Sequence, residues 1–180
     1  MRIAITGAQG VGKSTLAAKL HDELGLPELP TPGRTLAAQG LPINEAATIS
    51  SQILAWLLQY RLERERTTWV ASRSLIDVWV YTEQAADRRE LDLVERALMS
   101  ELALATPLAI AEGYDELIYV PPRIPLVADG ARSADETFQR AVDAGIRKSL
   151  AEWLVPHIEV DVRDHRAVQA LVQRLRRKAS

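Results

Sequence analysis

Residues 7–15 read GAQGVGKST, directly after the apolar run Ile3-Ala4-Ile5. Three glycines, a lysine and two hydroxyl side chains lie within these nine positions. From Gly7 to Ser14 the segment fits the pattern G-x-x-x-x-G-K-[ST] without a mismatch. It also lies between an apolar strand pattern and a helical pattern. An ordinary glycine-rich turn would not need both of these neighbours. The stretch therefore predicts a loop that binds phosphate at the start of an α/β domain.

Each residue type in this phosphate loop, residues 7–15, has a physical role toward phosphate. Glycines let backbone N–H groups converge on anionic oxygens, and the following helix adds its positive N-terminal end. Lys13 can reach the β- and γ-phosphates, and Ser14 can offer its hydroxyl to Mg²⁺. We therefore expect ATP and Mg²⁺ as cofactors. The residues predicted to bind the nucleotide here are Gly7, Gln9, Gly10, Val11, Gly12, Lys13, Ser14 and Thr15.

Composition limits the remaining possibilities. The 180 residues are the size of one domain, and 47% of them are hydrophobic, which is enough for one core. The net charge of −2 gives no overall field toward nucleic acid or membrane, and the lack of cysteine excludes disulfides. The N-terminus enters a strand pattern directly, and no apolar run approaches the roughly 20 residues of a membrane span. We expect a single-domain, cytoplasmic protein.

Strand and helix patterns alternate along the chain. The predicted strands are 2–6, 28–31, 69–71, 116–120 and 157–162. The predicted helices are 13–24, 44–67, one opening at the Ser74–Asp77 capping box, 90–105, one from the Ser133–Glu136 capping box to about Val155, and one capped by Asp164. Pro32-Gly33 indicates a turn. This alternation predicts parallel strands between two helical layers, a three-layer α/β fold.

Two helices carry predictions about their packing. In 44–67, one apolar face is expected from Ile49, Ile53, Trp56, Leu57 and Tyr60. This long helix could pair with a second subunit in a homodimer, or it could cover the sheet. In 90–105, the residues expected to face inward are Val94, Leu98, Leu102 and Ala105.

The chain resembles the small P-loop kinases that include the ribosylnicotinamide-kinase domain and related AAA-type ATPase domains. More distantly it is similar to deoxynucleoside and thymidylate kinases. The resemblance covers most of the chain, and its phosphate loop is the specific part. It rests on four stretches, which are 7–15, TPGRTLA at 31–37, SRSLIDVWVY at 72–81, and PPRIPLVADGARS at 121–133 with Glu136 and Arg140.

The resemblance implies a P-loop NTPase fold with a five-stranded parallel sheet in the order 2-3-1-4-5. It also implies that residues 121–140 act as a lid over the phosphates. Arg123, Arg132 and Arg140 lie in or beside this segment, where guanidinium groups can stabilise a transferring phosphoryl group. Arg132 is our candidate catalytic arginine, and Arg123 is a candidate nucleotide contact. The alternative for all three arginines is that they only solvate a loop and the start of a helix.

Two departures from the family bear on the acceptor. Related kinases commonly have Asp-Arg-Ser after the third strand, where this chain has Ser72-Arg73-Ser74. They also often carry a glutamate three residues before an arginine at the end of the second strand, where this chain has Thr31 before Arg34. Both arginines carry over, and both carboxylates are missing. Arg73 is therefore a candidate catalytic and substrate residue, and Arg34 is a candidate substrate contact.

Other residues could take over the missing roles. Asp77, one helical turn after Arg73, is predicted to contact the acceptor or Mg²⁺, and a capping partner for Ser74 is the alternative. Asp129 is a second candidate substrate residue, with a turn residue as the alternative. Arg163 follows the last strand, where similar kinases wrap the adenine ring, so it is a candidate nucleotide contact.

Three functions are compatible with the sequence. The first is an ATP-dependent kinase that phosphorylates a hydroxyl of a nucleoside, nucleotide or nucleoside-like metabolite. The second is a kinase for a modified, hydroxymethylated base in phage DNA, although no broad basic stripe extends beyond the lid and last helix. The third is a regulatory NTPase that has no small-molecule acceptor, for which the missing carboxylates are the best support.

Overall fold

In a computed structural model of the protein, residues 1–43, 46–126 and 135–179 are described. Within them, a parallel sheet has the strands β1 (Arg2–Thr6), β2 (Trp69–Ala71), β3 (Glu116–Tyr119) and β4 (Ile158–Glu159). Their order across the sheet is β2-β1-β3-β4. This is the expected order of the first, third, fourth and fifth predicted strands, and it places the end of β1 at the centre of the sheet.

The burial of the central strand β1 shows that the sheet is covered on both faces. Ile3, Ala4 and Ile5 are completely buried although successive side chains of a strand point to opposite faces. Ile3 pairs with Val70 of β2 and with Glu116 of β3. A strand with neighbours on both sides and buried residues on both faces places the phosphate loop at the middle of the domain.

The second predicted strand is reduced to one bridge, so the described sheet has four strands and not five. Glu28 forms a single parallel bridge with Val70. The Leu29 N–H donates to the Val70 carbonyl, and the Val70 N–H donates to the Pro27 carbonyl. The ladder ends here because the chain turns into a helix that begins at Pro32, with Thr31 as its N-terminal cap residue.

Seven helices occur in the described ranges. They are α1 (Lys13–Leu24), α2 (Pro32–Ala38), α3 (Ile49–Arg64), α4 (Leu75–Ala86), α5 (Leu93–Gly113), α6 (Glu136–Glu152) and α7 (His165–Ala179). Helix α1 contacts α7, and α4 contacts both α3 and α6. The prediction of a turn at Pro32-Gly33 was wrong, because Pro32 begins α2 at the first helical position, where its missing N–H costs nothing.

Helix α3 is shorter than predicted at both ends. It begins at Ile49 because Thr48 caps it, with the Ser51 N–H donating to Thr48 Oγ1 at 3.1 Å. The predicted apolar face is only partly correct, since Ile49 and Trp56 are buried but Leu57 is 52% exposed. Residues 44 and 45, which the prediction included, lie outside the described residues.

Helix α5 begins later and ends later than predicted. Its first half extends beyond the core, so the prediction that Val94 and Leu98 face inward was wrong, and only Leu102 of the predicted set is buried. The helix continues through Pro107 to Gly113, although an internal proline removes one backbone hydrogen bond. Burial of Ala109 and Ile110 in this second half offsets that loss.

The C-terminal elements differ from the predictions mainly at their ends. Asp135 caps α6 by accepting from the N–H groups of Thr137 and Phe138 at 2.7 and 3.1 Å, and α6 ends at Glu152. Ser133, the predicted cap, lies outside the described residues. Asp164 caps α7 as predicted, by accepting from the N–H of Arg166 at 2.8 Å. In the described part of the chain, no helix combines the length and apolar character that a membrane crossing needs.

Candidate active site

The phosphate loop connects β1 to α1 through glycines in conformations that other residues avoid. Gly10 and Gly12 have φ angles of +78° and +94°, and Gly12 is the residue before the first turn of α1. A Cβ atom at Gly7, where φ is +152°, would lie 2.5 Å from the backbone oxygen of Val120. Close approach to the residue after β3 therefore requires glycine at position 7.

Substitution of Gly7 tests this packing. Because the Cβ would meet a backbone atom that cannot move aside, Gly7→Ala is expected to lower the free energy of unfolding by about 2 kcal/mol. Urea denaturation followed by circular dichroism measures the change. The matched control is Gly113→Ala at the end of α5, where a Cβ meets no atom within 4 Å. A Gly7→Ala protein as stable as the Gly113→Ala protein would contradict the steric argument.

The Lys13 side chain folds back over the phosphate loop. Its ammonium group donates to the carbonyl oxygens of Gly7 and, at 2.6 Å, of Ala8. It also lies 3.8 Å from Asp77 Oδ1, and both side chains are buried. The lysine is therefore held at the centre of the loop by carbonyl dipoles and by one carboxylate.

Asp77 joins the phosphate loop to the segment between β2 and α4. Its Oδ2 accepts from the N–H and the hydroxyl of Ser74 at 2.9 and 2.8 Å, which is the predicted capping box. Its Oδ1 accepts from the Gly7 N–H at 3.4 Å. The geometry thus makes Asp77 the electrostatic partner of Lys13. A direct role toward the acceptor or Mg²⁺ stays a prediction.

A cavity of about 320 Å³ opens beside the phosphate loop, and we call it the main cavity. This volume falls within the roughly 300–1,000 Å³ of small-molecule sites. The described lining includes three cationic residues, Lys13, Arg34 and Arg73. It includes no Asp or Glu. The rest of the described lining is Gln9, Gly10, Val11, Gly12, Ser14, Thr31, Pro32, Gly33, Leu36, Ala37, Pro42, Ile43, Ser51, Gln52, Ala55, Ser72, Val78 and Tyr81.

The two positions at which related kinases carry carboxylates meet in this cavity. The Thr31 Oγ1 and Ser72 Oγ atoms lie 3.4 Å apart and can share a hydrogen bond. Both residues line the main cavity, between the phosphate loop and the start of α2. The sequence departures therefore fall at one place, and they replace two acidic groups by a pair of neutral hydroxyls.

Arg73 is fixed at the wall of the cavity by an aromatic ring. Its guanidinium carbon lies 4.9 Å from the centre of the Tyr81 ring, which suits a cation–π contact. Burial by itself lowers the pKa of Arg73, but charge interactions with Tyr81 and Asp77 outweigh it and raise the pKa above its usual value. Tyr81 in turn donates to Gln9 Oε1 at 3.1 Å. The arginine is therefore oriented by the same contacts that hold the phosphate loop.

A buried network behind Arg73 was not anticipated from the sequence. Glu63 Oε1 accepts from Gln59 Nε2 at 2.5 Å and from the Tyr114 hydroxyl at 2.9 Å. Gln59 Nε2 also reaches the Arg73 carbonyl at 3.4 Å, and the Tyr114 oxygen accepts from the Leu75 N–H at 2.8 Å. Burial raises the pKa of Glu63 to about 8, against the lowering effect of the Gln59 and Tyr114 hydrogen bonds. The RLERER run of residues 61–66 resembles a charged helix end, so it gave no signal for a buried Glu63.

A second cavity of about 220 Å³ lies on the other side of Gly12. Its described lining is largely apolar and also includes Lys19 and His165. The full described lining is Gly12, Thr15, Leu16, Lys19, Ile124, Val162, His165 and Val168. Val162 and His165, on either side of the predicted contact Arg163 in the sequence, thus line this cavity, and neither was predicted as a nucleotide contact.

The remaining predicted arginines lie near β4 and α6. Arg163 and Arg123 both contact the carboxylate of Asp161, at 2.9 and 3.4 Å. Hydrogen bonds from Arg163, helped by the charge of Arg123, hold the pKa of Asp161 well below its usual range. Arg140 is exposed on α6 and pairs with Glu136 at 3.5 Å. The candidate residues Asp129 and Arg132 lie outside the described residues, so their roles stay predictions.

The family of the chain follows from its sequence. Residues 2–167 match the family described as an AAA domain. The chain belongs to this AAA-domain family. No curated protein matches the sequence. The resemblance to small P-loop kinases is confirmed by this match together with the folds of the most similar solved structures.

Several solved structures share the fold of this chain. The structure of deoxyadenosine kinase from M. mycoides with bound dATP matches with a TM-score of 0.67 and 18% identity, over 99% of each chain. NadR protein in complex with NR matches with a TM-score of 0.72 and 18% identity, over 96% of this chain and 50% of that one. Shikimate kinase from Aquifex aeolicus matches with a TM-score of 0.55 and 16% identity, over 99% and 98%. At these identities the comparison establishes the P-loop kinase fold of this AAA-domain protein.

Proposed function

We propose that this protein is an ATP-dependent phosphotransferase that moves the γ-phosphate to a small, nucleoside-related acceptor. The observation that supports it most is the continuity of one cavity from the phosphate loop to the α2–α3 region. Lys13 and Ser14 of the phosphate loop line the same main cavity as Arg34 of α2 and Arg73, which follows β2. A triphosphate tail bound at the phosphate loop would therefore meet an acceptor bound beside these arginines.

The nucleotide would lie across the phosphate loop. Its phosphates would be bound by the loop N–H groups and by the Lys13 ammonium. The Lys13 ammonium would then donate to phosphate oxygens in place of the Gly7 and Ala8 carbonyls. The second cavity adjoins Gly12 and has a largely apolar lining, which suits a base. Arg123 and Arg163, on either side of Asp161, would contact the nucleotide from the lid side.

The donors present fit a magnesium ion. Ser14 lines the main cavity and supplies one hydroxyl, while Mg²⁺ usually takes its remaining ligands from water and from nucleotide phosphates. When bound, the ion would neutralise charge on the β- and γ-phosphates. Lys13 and Arg73, and in our proposal Arg132, would stabilise charge on the phosphoryl oxygens, since positioning and electrostatics supply most of the rate in this reaction.

One label-transfer experiment tests the activity. The protein is incubated with ATP labelled at the γ-phosphate, Mg²⁺ and pooled nucleosides, nucleotides, nicotinamide riboside or hydroxymethylated DNA. Label in a small molecule is the expected result. Label only in DNA would favour a DNA-base kinase, and label only in free phosphate would favour a regulatory NTPase; either would contradict the proposal.

A further inference from the structure

The main cavity has a charge pattern that bears on its acceptor. Its described lining holds three cations and no carboxylate. Within the described ranges, the salt bridges of the protein involve neither Arg34 nor Arg73. Lys13 pairs with Asp77, whereas Arg34 and Arg73 bring positive charge to a wall without a carboxylate of its own, and such a wall attracts an anionic ligand.

The buried carboxylates nearest to the cavity are already committed to protein contacts. Asp77 accepts from Ser74 and Gly7 and faces Lys13. Glu63 accepts from Gln59 and Tyr114 behind the Arg73 backbone. Neither residue is among the described lining residues of the cavity. At the wall itself stand Thr31 and Ser72, whose hydroxyls do not accept a proton at neutral pH. The described site thus offers charge stabilisation without a general base.

An alcohol acceptor must lose its proton during transfer, and a base commonly assists. A phosphate monoester needs no such group, because its second pKa is about 6 and its oxygens are already ionised at pH 7. Arginines are well suited to bind such a group, since the planar guanidinium can donate two parallel hydrogen bonds to phosphate oxygens.

We infer that the acceptor of this site is a nucleoside monophosphate, or a similar phosphate monoester of nucleoside size, and that the phosphoryl group is transferred to its phosphate. This inference rests on the proposed phosphotransferase function. Arg73 and Arg34 bind the acceptor phosphate. The apolar residues Leu36, Pro42 and Ile43 contact the base or sugar, and Gln52 lies in the same wall.

The reaction balances without a proton acceptor. An ionised oxygen of the acceptor phosphate forms a bond to the γ-phosphorus of ATP. The bond from that phosphorus to the β–γ bridging oxygen breaks, and its electron pair stays on ADP. The products are ADP and a nucleoside diphosphate, so no group of the protein has to change its protonation state.

Matched pairs of acceptors test the inference. Label transfer from γ-labelled ATP with Mg²⁺ is measured for each deoxynucleoside and its 5′-monophosphate, and for nicotinamide riboside and its mononucleotide. We expect at least one monophosphate to be labelled at least tenfold faster than its parent nucleoside. Its kcat should also stay flat from pH 7 to 9. Faster labelling of the nucleosides would overturn the inference and leave the proposed function intact, whereas free phosphate as the only labelled product from every pair would overturn both.

Variants separate phosphate binding from general damage. Arg73→Gln is expected to raise KM for the monophosphate at least tenfold, while KM for ATP changes less than threefold. Arg34→Gln should act in the same direction, and because Arg34 is exposed on α2 this variant keeps the test valid if Arg73→Gln fails to fold. The control is Arg61→Gln, an exposed α3 residue that pairs with Glu65. Unchanged KM for the monophosphate in a folded Arg34→Gln protein would overturn the inference.

Discussion

Replacement of Lys13 by alanine is expected to reduce kcat/KM by about 10³-fold, which corresponds to about 4 kcal/mol of transition-state stabilisation. The ammonium group lies at the centre of the phosphate loop, within reach of the Gly7 and Ala8 carbonyls and of Asp77. In the proposed complex it is the positive charge nearest to the β- and γ-phosphates. Nucleotide binding measured by titration calorimetry should be lost together with turnover.

A loss of activity through unfolding has to be separated from a loss of the phosphate contact. Removing the Lys13 charge takes the ion-pair partner away from the buried Asp77, so stability is expected to fall by about 1–3 kcal/mol. Lys13→Met keeps the aliphatic stem and should lose nucleotide binding with less damage to packing. Lys148→Ala on the exposed face of α6 is the control and should behave as wild type. Unchanged nucleotide affinity in folded Lys13→Met would contradict the assigned role of the loop.

The second large effect concerns the pH dependence of stability. Glu63 is buried, and its pKa is raised from 4.5 to about 8. The folded protein therefore holds a proton that the unfolded chain releases above pH 4.5. The stability that protonated Glu63 contributes is complete below pH 4.5 and is lost as the pH rises through 8. Between these limits the free energy of unfolding is expected to fall by up to about 5 kcal/mol because of this one group.

Glu63→Gln isolates the effect, since the amide has the same shape and does not ionise. The difference in unfolding free energy between wild type and variant should change with pH between 5 and 8, with the variant the more stable at pH 8.5. Urea denaturation at several pH values measures it. Glu65→Gln, an exposed neighbour one residue beyond α3, is the control and should follow the wild type. A Glu63→Gln protein with the wild-type pH dependence would show that Glu63 is ionised in the folded state.

These two residues illustrate different kinds of information in the sequence. Lys13 belongs to a local pattern, in which each residue type is required by the backbone geometry of one short loop. Glu63 lies in a run of charged residues that resembles a solvated helix end. It is buried where Tyr114, from a distant part of the chain, donates to its carboxylate at 2.9 Å, and where the nearby Trp69 indole donates to its carbonyl at 3.1 Å.

The same distinction applies to the secondary structure. The parallel sheet, the phosphate loop and the Ser74–Asp77 and Asp164 caps could be predicted, because they depend on alternation and on contacts a few residues apart. The ends of α3 and α5, and the reduction of the second strand to one bridge, could not. They depend on burial of residues such as Ala109 and Ile110 against elements that are remote in sequence.

The sequence by itself determined that a phosphate-binding loop follows the first strand of an α/β domain, since the spacing of Gly7, Gly12 and Lys13 is a local property of the backbone. Only the tertiary structure decided what surrounds that loop. It brings Thr31 and Ser72 to within 3.4 Å of each other and places Asp77 against Lys13. It also leaves Arg34 and Arg73 in a described cavity wall without a carboxylate. The partners in each pair, Thr31 with Ser72 and Lys13 with Asp77, are far apart along the chain. What brings α2, α3 and α4 together around the phosphate loop is the packing of these helices on one another, and not any local pattern.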